Sequence, residues 1–226
     1  MAILAIPALL CIVLRIEREK ENTRPQIYEL THEEVGLLRN GDIVLRMGYG
    51  IVSALLETSS GGTGVSHCGI LAGEGPHFRV IHSISSDLSD EDGVQECTLS
   101  EFLRCAKPGS FVAVRCQVAD GAEIAKHAGR YLEQRIPFDL AFDLCDSTKI
   151  FCSELIYLSI LHAADYAIFD PAKMDYTFSS FFDESLFLPV INHIKGSRGF
   201  SPYPSKIPDT TSLLPLPHEL SPARLH

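Results

Sequence analysis

The sequence predicts one α+β domain with an antiparallel sheet, and two observations lead to this fold class. Short runs rich in β-branched residues alternate with short capped helices in the first half, and two longer helical patterns follow. The chain has 226 residues, of which 46% are hydrophobic, so it is long enough to bury a core as a single domain. No internal repeat is visible.

The order of the elements follows from turn and capping signals. Thr31, Thr98 and Asp120 each begin a helix as capping residues, and Asn40-Gly41 ends the first of them. Residues 85–93 are acidic and polar and predict a mobile loop. The remaining predicted elements are strands at 42–46, 65–72, 78–84 and 111–116, a short helix at 51–56, a helix from Asp120 to about Gln134, and a helix from Cys152 onward.

Composition excludes some classes of function. The chain has 19 basic and 29 acidic residues and a net charge of −10, which argues against a nucleic-acid or anionic-membrane surface. The seven cysteines are odd in number, irregularly spaced and lack a CxxC pair, so a zinc ribbon or a disulfide framework is not expected.

The two ends of the chain differ from its middle. Residues 2–14 are almost wholly apolar, which suits a signal-peptide core better than a spanning helix of about 20 residues. We therefore expect residues 1–25 to be a signal- or anchor-like segment and linker, with the hydrophobic N-terminal helix of a cytosolic protein as the alternative. Residues 26–195 form the predicted domain. Six of the 13 prolines follow in 196–226, which predicts a disordered or surface-draped tail.

Cys152 lies where a loop ends and an apolar helical stripe begins. Leu155, Ile156 and Ile160 recur at helical spacing, so Cys152 falls in the first helical turn. Free backbone N–H groups and the helix dipole favour a thiolate there, and can lower a cysteine pKa to roughly 3.5–7.5 from about 8.5. The position suits a nucleophile, and the alternative is a small residue packing a helix end.

Two histidines provide partners for this cysteine. His67 and Gly69 share one face of a predicted strand, and the returning strand of the hairpin carries His82 on the same face. A nucleophile, a base and a third group that orients the base form a hydrolase triad. Each histidine alone could be structural, and the three residues could instead bind zinc, although no fourth ligand is evident. No cofactor is implied. The other histidines lack such a setting and are expected to be solvated or packing residues.

Four motifs in this order resemble the YiiX-like permuted papain-fold amidases of the NlpC-type cysteine peptidase superfamily. The resemblance spans roughly residues 38–160, and the histidine precedes the cysteine as the permuted branch requires. It implies a circularly permuted papain-like fold with a small antiparallel sheet or barrel packed against helices. It also implies Cys152 as nucleophile, His67 as general base and His82 as the third polar residue. The motifs are Asn40-Gly41-Asp42-Ile43-Val44, Val65-Ser66-His67-Cys68-Gly69-Ile70, Pro137-Phe138-Asp139 and Phe151-Cys152-Ser153-Glu154-Leu155.

The resemblance also implies an activity. A hydrolase of this kind cleaves an amide bond in small peptides, cell-wall-derived peptides or N-acyl amines through an acyl-enzyme on Cys152. A histidine in the third position is similar to the lecithin:retinol acyltransferase-like branch, so an acyltransferase or lipid hydrolase is the alternative, and a non-catalytic binding module is a third. The expected partner is a small peptide or acyl-amine substrate and not nucleic acid. The N-terminal segment would tether the protein in the cell envelope, with the cytoplasm as the alternative.

Overall fold

The computed structural model describes residues 5–59, 64–165 and 211–213, and these form an α+β fold. Six antiparallel strands make one sheet in the order β4-β3-β2-β1-β5-β6. The strands are β1 (Ile43–Arg46), β2 (His67–Ala72), β3 (Arg79–Ile84), β4 (Gly93–Thr98), β5 (Val112–Cys116) and β6 (Thr211–Leu213). The helices are α1 (Ala5–Asn22), α2 (His32–Leu37), α3 (Gly50–Ser59), α4 (Leu99–Arg104), α5 (Gly121–Glu133) and α6 (Cys152–Ala164).

The capping residues begin their helices where the sequence predicts. Thr31 and Glu34 form a reciprocal capping box at the start of α2, and Thr98 and Glu101 form another at α4. The Asp120 side chain accepts a backbone hydrogen bond at the start of α5. These local contacts satisfy N–H groups that would otherwise lack a partner, so the helix starts are set by nearby residues alone.

The sheet buries both of its faces. Cys68 and Ile70 of β2 pack in one core cluster with residues of α5 and α6. Leu71 belongs to a second cluster on the opposite face, which includes Phe102 of α4. Because successive side chains of a strand point to opposite faces, neighbouring residues of β2 enter different layers of the protein.

Two strands differ from the sequence-based expectation. Gly93, placed at the end of the predicted loop, begins β4 with φ +85, and a Cβ there would lie 2.0 Å from the Ile136 carbonyl oxygen. This strand is polar because it pairs only with β3, at one edge of the sheet. β6 lies inside residues 196–226, which the sequence predicts to be a disordered or surface-draped tail. Its three residues instead form a strand that pairs with β5. The other residues of that tail lie outside the described residues.

Helix α1 extends over most of the predicted N-terminal segment. Polar contacts join it to the domain: the Ile51 N–H donates to Glu17 at 2.8 Å, and Arg104 donates to the Asn22 carbonyl at 2.7 Å. Ile12 and Ile16, four residues apart, are exposed. Within the described part of the chain, no helix has both the length and the apolar character needed to cross a membrane.

Candidate active site

Cys152 is the first residue of α6, and the chain that leads to it is held firmly. The Ile150 carbonyl accepts a hydrogen bond from the buried Ser83 hydroxyl at 2.6 Å. The Ile150 N–H donates to the Pro137 carbonyl at 2.9 Å. Phe151 is extended and buried, so it turns the chain into the helix directly at Cys152. Strand β3 and the loop before α6 thus fix the position of the cysteine.

The Cys152 sulfur lies among hydrogen-bond donors. The Cys68 thiol and the backbone N–H groups of Ser153, Cys68 and Cys152 itself lower the pKa of Cys152, although burial opposes them. Donors that point at a sulfur stabilise its anion, as expected at a helix N-terminus. The pKa of Cys68 is raised well above its ordinary value by burial and by the adjacent Cys152. Of this pair, Cys152 is therefore the more acidic thiol, and Cys68 holds its proton more tightly.

The two predicted histidines contact each other. His67 Nε2 lies 2.9 Å from His82 Nδ1, and their rings meet edge to face with centroids 5.1 Å apart. His82 lies beside Gly69, diagonal to His67: a Cβ on Gly69 would be 3.3 Å from the His82 Cβ and 2.5 Å from Val80 Cγ1. Only glycine leaves room for this arrangement, since any side chain would push β3 away.

Both imidazoles are neutral near pH 7. Burial, followed by the Arg46 charge, lowers the pKa of His82 to about 3. The same two causes, with His82 as a third, hold the pKa of His67 well below its ordinary value. A neutral histidine has one nitrogen free to accept a proton. Since His67 Nε2 is engaged with His82, Nδ1 is the atom left to act as a base.

Arg46 is a component of the site that sequence reasoning missed. It is paired with His67 across β1 and β2, is 6% exposed, and its Cζ lies 5.0 Å from the Phe102 ring centroid. Its guanidinium donates to the Cys105 carbonyl and lies 3.6 Å from Glu21 of α1. The available signal was its place in β1, two residues after buried Val44, because alternation puts both on one buried face.

The thiol and the histidines occupy opposite faces of β2. His67 and His82 pack against Phe102, whereas Cys152 contacts Cys68 in the α5 and α6 layer. In the part of the chain that the structure describes, no hydrogen bond joins Cys152 to either histidine. His67 is nevertheless the first residue of β2 and the direct neighbour of Cys68. The structure therefore brings the two predicted histidines together but leaves the Cys152 sulfur on the other face of β2.

Two acidic motif residues support the loop before Cys152. Asp139 is buried, and its carboxylate accepts the N–H groups of Ala141 and Asp143, which shapes the turn. Glu154 is also buried and accepts the Phe151 N–H at 3.3 Å. Burial is the main cause that raises the pKa of Glu154 to about 8, so it is largely protonated near neutrality. Neither side chain contacts the sulfur, so both support the position of the site.

Asp42, a residue of the first motif, lies at the opposite end of β1 from Arg46. Its carboxylate accepts two hydrogen bonds from Arg115, at 2.7 and 2.8 Å, and one from the Arg39 N–H at 2.8 Å. Such a bidentate pair with a fully buried carboxylate ties β1 to β5.

The residues around His67 do not fit a metal centre. Across residues 5–59, 64–165 and 211–213, no group of three or more His, Cys, Asp or Glu side chains could hold an ion. His67 and His82 also direct nitrogens at each other, which leaves fewer free ligand atoms. The zinc alternative considered for these two residues and Cys152 therefore lacks a ligand set in this part of the chain.

Comparison with known proteins identifies the fold. The chain matches no protein-family model, and no curated protein is similar to it in sequence. It is similar to the crystal structure of the metalloprotein YiiX from Escherichia coli O157:H7, DUF1105, with a TM-score of 0.58 and 16% identity. The match covers 78% of this chain and 96% of that one. The chain therefore has the YiiX-like fold that its motifs suggest.

Proposed function

We propose that this protein is a cysteine hydrolase that cleaves an amide bond through an acyl-enzyme on Cys152. The supporting observation is the cysteine at the start of α6, whose sulfur receives three backbone N–H groups and has a lowered pKa. A thiolate is the nucleophilic form of cysteine, and a buried structural cysteine would show a raised pKa instead. The proposed fold is a circularly permuted papain-like one, because the histidine strand β2 precedes the cysteine helix α6.

The reaction uses the pairing of the two histidines. His67 Nδ1 takes the proton of the Cys152 thiol, and the His67 Nε2–H then donates to His82 Nδ1. The thiolate attacks the amide carbonyl, and the Cys152 N–H is released from the sulfur to stabilise the oxyanion. His67 protonates the leaving amine, and water, activated by the same imidazole, hydrolyses the thioester. The step requires His67 to approach the sulfur at the start of β2.

Alkylation of Cys152 by iodoacetamide, followed against pH by peptide mapping, tests the nucleophile and its base. We expect an inflection below about 8.5 in the wild type that moves upward in His67→Ala, because the neutral imidazole accepts the thiol proton. The exposed His77→Ala is the matched control and should leave the profile unchanged. An inflection at the value of a free thiol, the same in both variants, would contradict the proposal.

The substrate is proposed to be a small peptide, a cell-wall-derived peptide or an N-acyl amine. Incubation with each class, followed by mass spectrometry of the Cys152 peptide, should reveal an acyl adduct, and Cys152→Ala should form none. An alkylation profile with a depressed inflection but no adduct and no turnover on any class would support the non-catalytic binding module instead.

An acyltransferase or lipid hydrolase on the same residues is the second candidate. It is favoured by a histidine in the third position, which bonds to His67 here, and by the exposed isoleucines Ile12 and Ile16 of α1. A phospholipid offered together with an amine acceptor separates the two activities. Transfer of the acyl chain to the amine in preference to water would identify the acyltransferase.

A further inference from the structure

Helix α1 contacts the domain through two carboxylates, Glu17 and Glu21, which lie four residues apart in the helix. Glu17 accepts the Ile51 N–H at 2.8 Å, at the positive end of the helix α3, which has 10 residues. The Glu21 carboxylate lies 3.6 Å from the Arg46 guanidinium. Because side chains four residues apart share one face of a helix, α1 presents both carboxylates to the domain together.

Gly50 leaves room for the first of these carboxylates. Its φ is +85, and a Cβ there would lie 2.7 Å from the Glu17 Cδ and from one of its carboxylate oxygens. A side chain at this position would therefore push the carboxylate away from the Ile51 N–H. Glycine at the start of α3 thus keeps a position for an anion open.

Arg46 is a buried cation that requires a negative partner. It is 6% exposed, and within the described residues Glu21 is the acidic side chain that pairs with it. Its Nε is buried and has no hydrogen-bond partner in that part of the chain. A buried charge without a counter-ion is costly, so this surface takes another anion when α1 is absent.

Polar contacts hold α1 on this surface. From Ile12 onward, no side chain of α1 belongs to the apolar clusters of the described residues. Arg104 donates to the Asn22 carbonyl at 2.7 Å. Arg18 donates to the Ser86 carbonyl at 3.1 Å. Polar contacts between partly exposed groups are weak in water, so a ligand with the same charges can displace α1.

We propose that Arg46 and the start of α3 form a binding site for an acidic peptide, which α1 occupies through Glu17 and Glu21 until such a peptide displaces it. The peptide places two carboxylates where those of α1 lie. Arg46 pairs with His67 across β1 and β2, so the site adjoins the first residue of β2. Binding of the peptide therefore releases α1 from the side of Arg46 beside His67. The site does not depend on the reactivity of Cys152, and it goes beyond the proposed function.

NMR of the full-length protein tests the site through the Ile51 amide and the Arg46 Nε–H. The probe is a short synthetic peptide with two glutamates four residues apart, and the same peptide with two glutamines is its neutral counterpart. The variant Glu17→Ala/Glu21→Ala frees the site, and alanine keeps α1 helical. We expect the glutamate peptide to shift both signals in this variant at about tenfold lower concentration than in the wild type, because α1 no longer competes. The glutamine peptide should shift neither signal.

The matched control removes the same two charges from exposed positions. Glu19→Ala/Glu33→Ala should bind the glutamate peptide like the wild type. Glu17→Ala alone keeps the ion pair of Arg46 and should shift the midpoint in the same direction as the double variant. A dispersed amide spectrum establishes that each variant is folded.

The remaining outcomes decide against the site or against the hydrolase separately. Equal midpoints in the wild type and in Glu17→Ala/Glu21→Ala, equal shifts with the glutamine peptide, or no shift in any protein would overturn the site. Substrate turnover by Cys152 in a protein that binds no glutamate peptide would leave the proposed function intact. Peptide binding by a protein whose Cys152 forms no acyl adduct supports the site and counts against the hydrolase.

Discussion

Burial strongly raises the pKa of the Glu154 carboxyl group. Its side chain is 3% exposed, and the carboxylates of Asp139, Asp143 and Asp146 add to the effect of burial. Its pKa of about 8 in the folded protein compares with 4.5 in an unperturbed chain. Between these values the folded state keeps a proton that the unfolded state has released. Stability therefore falls as pH rises through this window.

We predict that Glu154→Gln removes this pH dependence. The contribution of one such group is at most about 1.4 kcal/mol per pH unit, because that is the free energy of one pKa unit. Glutamine keeps the oxygen that accepts the Phe151 N–H. Urea denaturation between pH 5 and pH 8 measures the slope. Glu133→Gln, at an exposed position of α5, is the control, and an equal slope in wild type and Glu154→Gln would contradict the prediction.

Arg46 acts on the histidines as a buried cation. Its charge lowers the pKa of both His67 and His82, in each case after the effect of burial. We predict that Arg46→Met raises both pKa values towards the ordinary range, because methionine fills a similar volume without the charge. Histidine C–H resonances followed by NMR against pH report the change. Arg79→Met removes an exposed charge paired with Glu96 and should leave both titrations in place. Unchanged pKa values of His67 and His82 in Arg46→Met would refute the electrostatic role of Arg46.

At the scale of elements, the site depends on a contact between β3 and the segment before α6. The Ser83 hydroxyl, fully buried, donates to the Ile150 carbonyl two residues before Cys152. No local sequence signal predicts this bond, because 67 positions separate the two residues. The hydrogen bond between Ser83 and Ile150 therefore holds the start of α6 against the sheet.

We predict that Ser83→Ala destabilises the protein by about 0.5–1.5 kcal/mol, because the Ile150 carbonyl loses its shorter hydrogen bond and keeps only the one from the Asp139 N–H at 3.4 Å. We also expect slower alkylation of Cys152, because the first turn of α6 is held less firmly. Chemical denaturation and the iodoacetamide rate measure the two effects. Ser89→Ala, whose partly buried hydroxyl bonds to Gln95, is the control. Unchanged stability in Ser83→Ala would show that the bond is not needed to hold the segment.

At the scale of the whole molecule, α1 places charges against the domain and isoleucines towards solvent. Glu17 and Glu21 contact α3 and Arg46, whereas Ile12 and Ile16 are 55% and 45% exposed. This arrangement supports the proposed membrane tether. The net charge of −10 disfavours binding to anionic lipid, so we propose that α1 binds a membrane of zwitterionic lipid.

We predict that the double variant Ile12→Asn/Ile16→Asn weakens binding to phosphatidylcholine vesicles at least tenfold. Each buried isoleucine contributes about 1.5–3 kcal/mol to partition into an apolar phase. Vesicle co-sedimentation measures the change. Ile27→Asn alters an isoleucine that is 41% exposed but lies outside α1, and it should bind like the wild type. Equal binding of all three proteins, or none by the wild type, would exclude this surface as the tether.

The sequence by itself determined the features that depend on near neighbours. Thr31, Thr98 and Asp120 cap their helices through residues two or three positions away, and Cys152 begins α6 because the apolar stripe begins there. The hairpin of β2 and β3 also placed His67 and His82 on one face, since strand alternation and a short turn suffice for that.

Only the tertiary structure decided the features that depend on distant pairing. β4 is polar and forms because β3 offers it an unpaired edge. Arg46 enters the site through its register with His67, and Cys152 meets Cys68 because α6 packs on the sheet. The local sequence around a residue does not predict which distant strand or helix will pack against it. The contacts of the Cys152 sulfur follow from that packing.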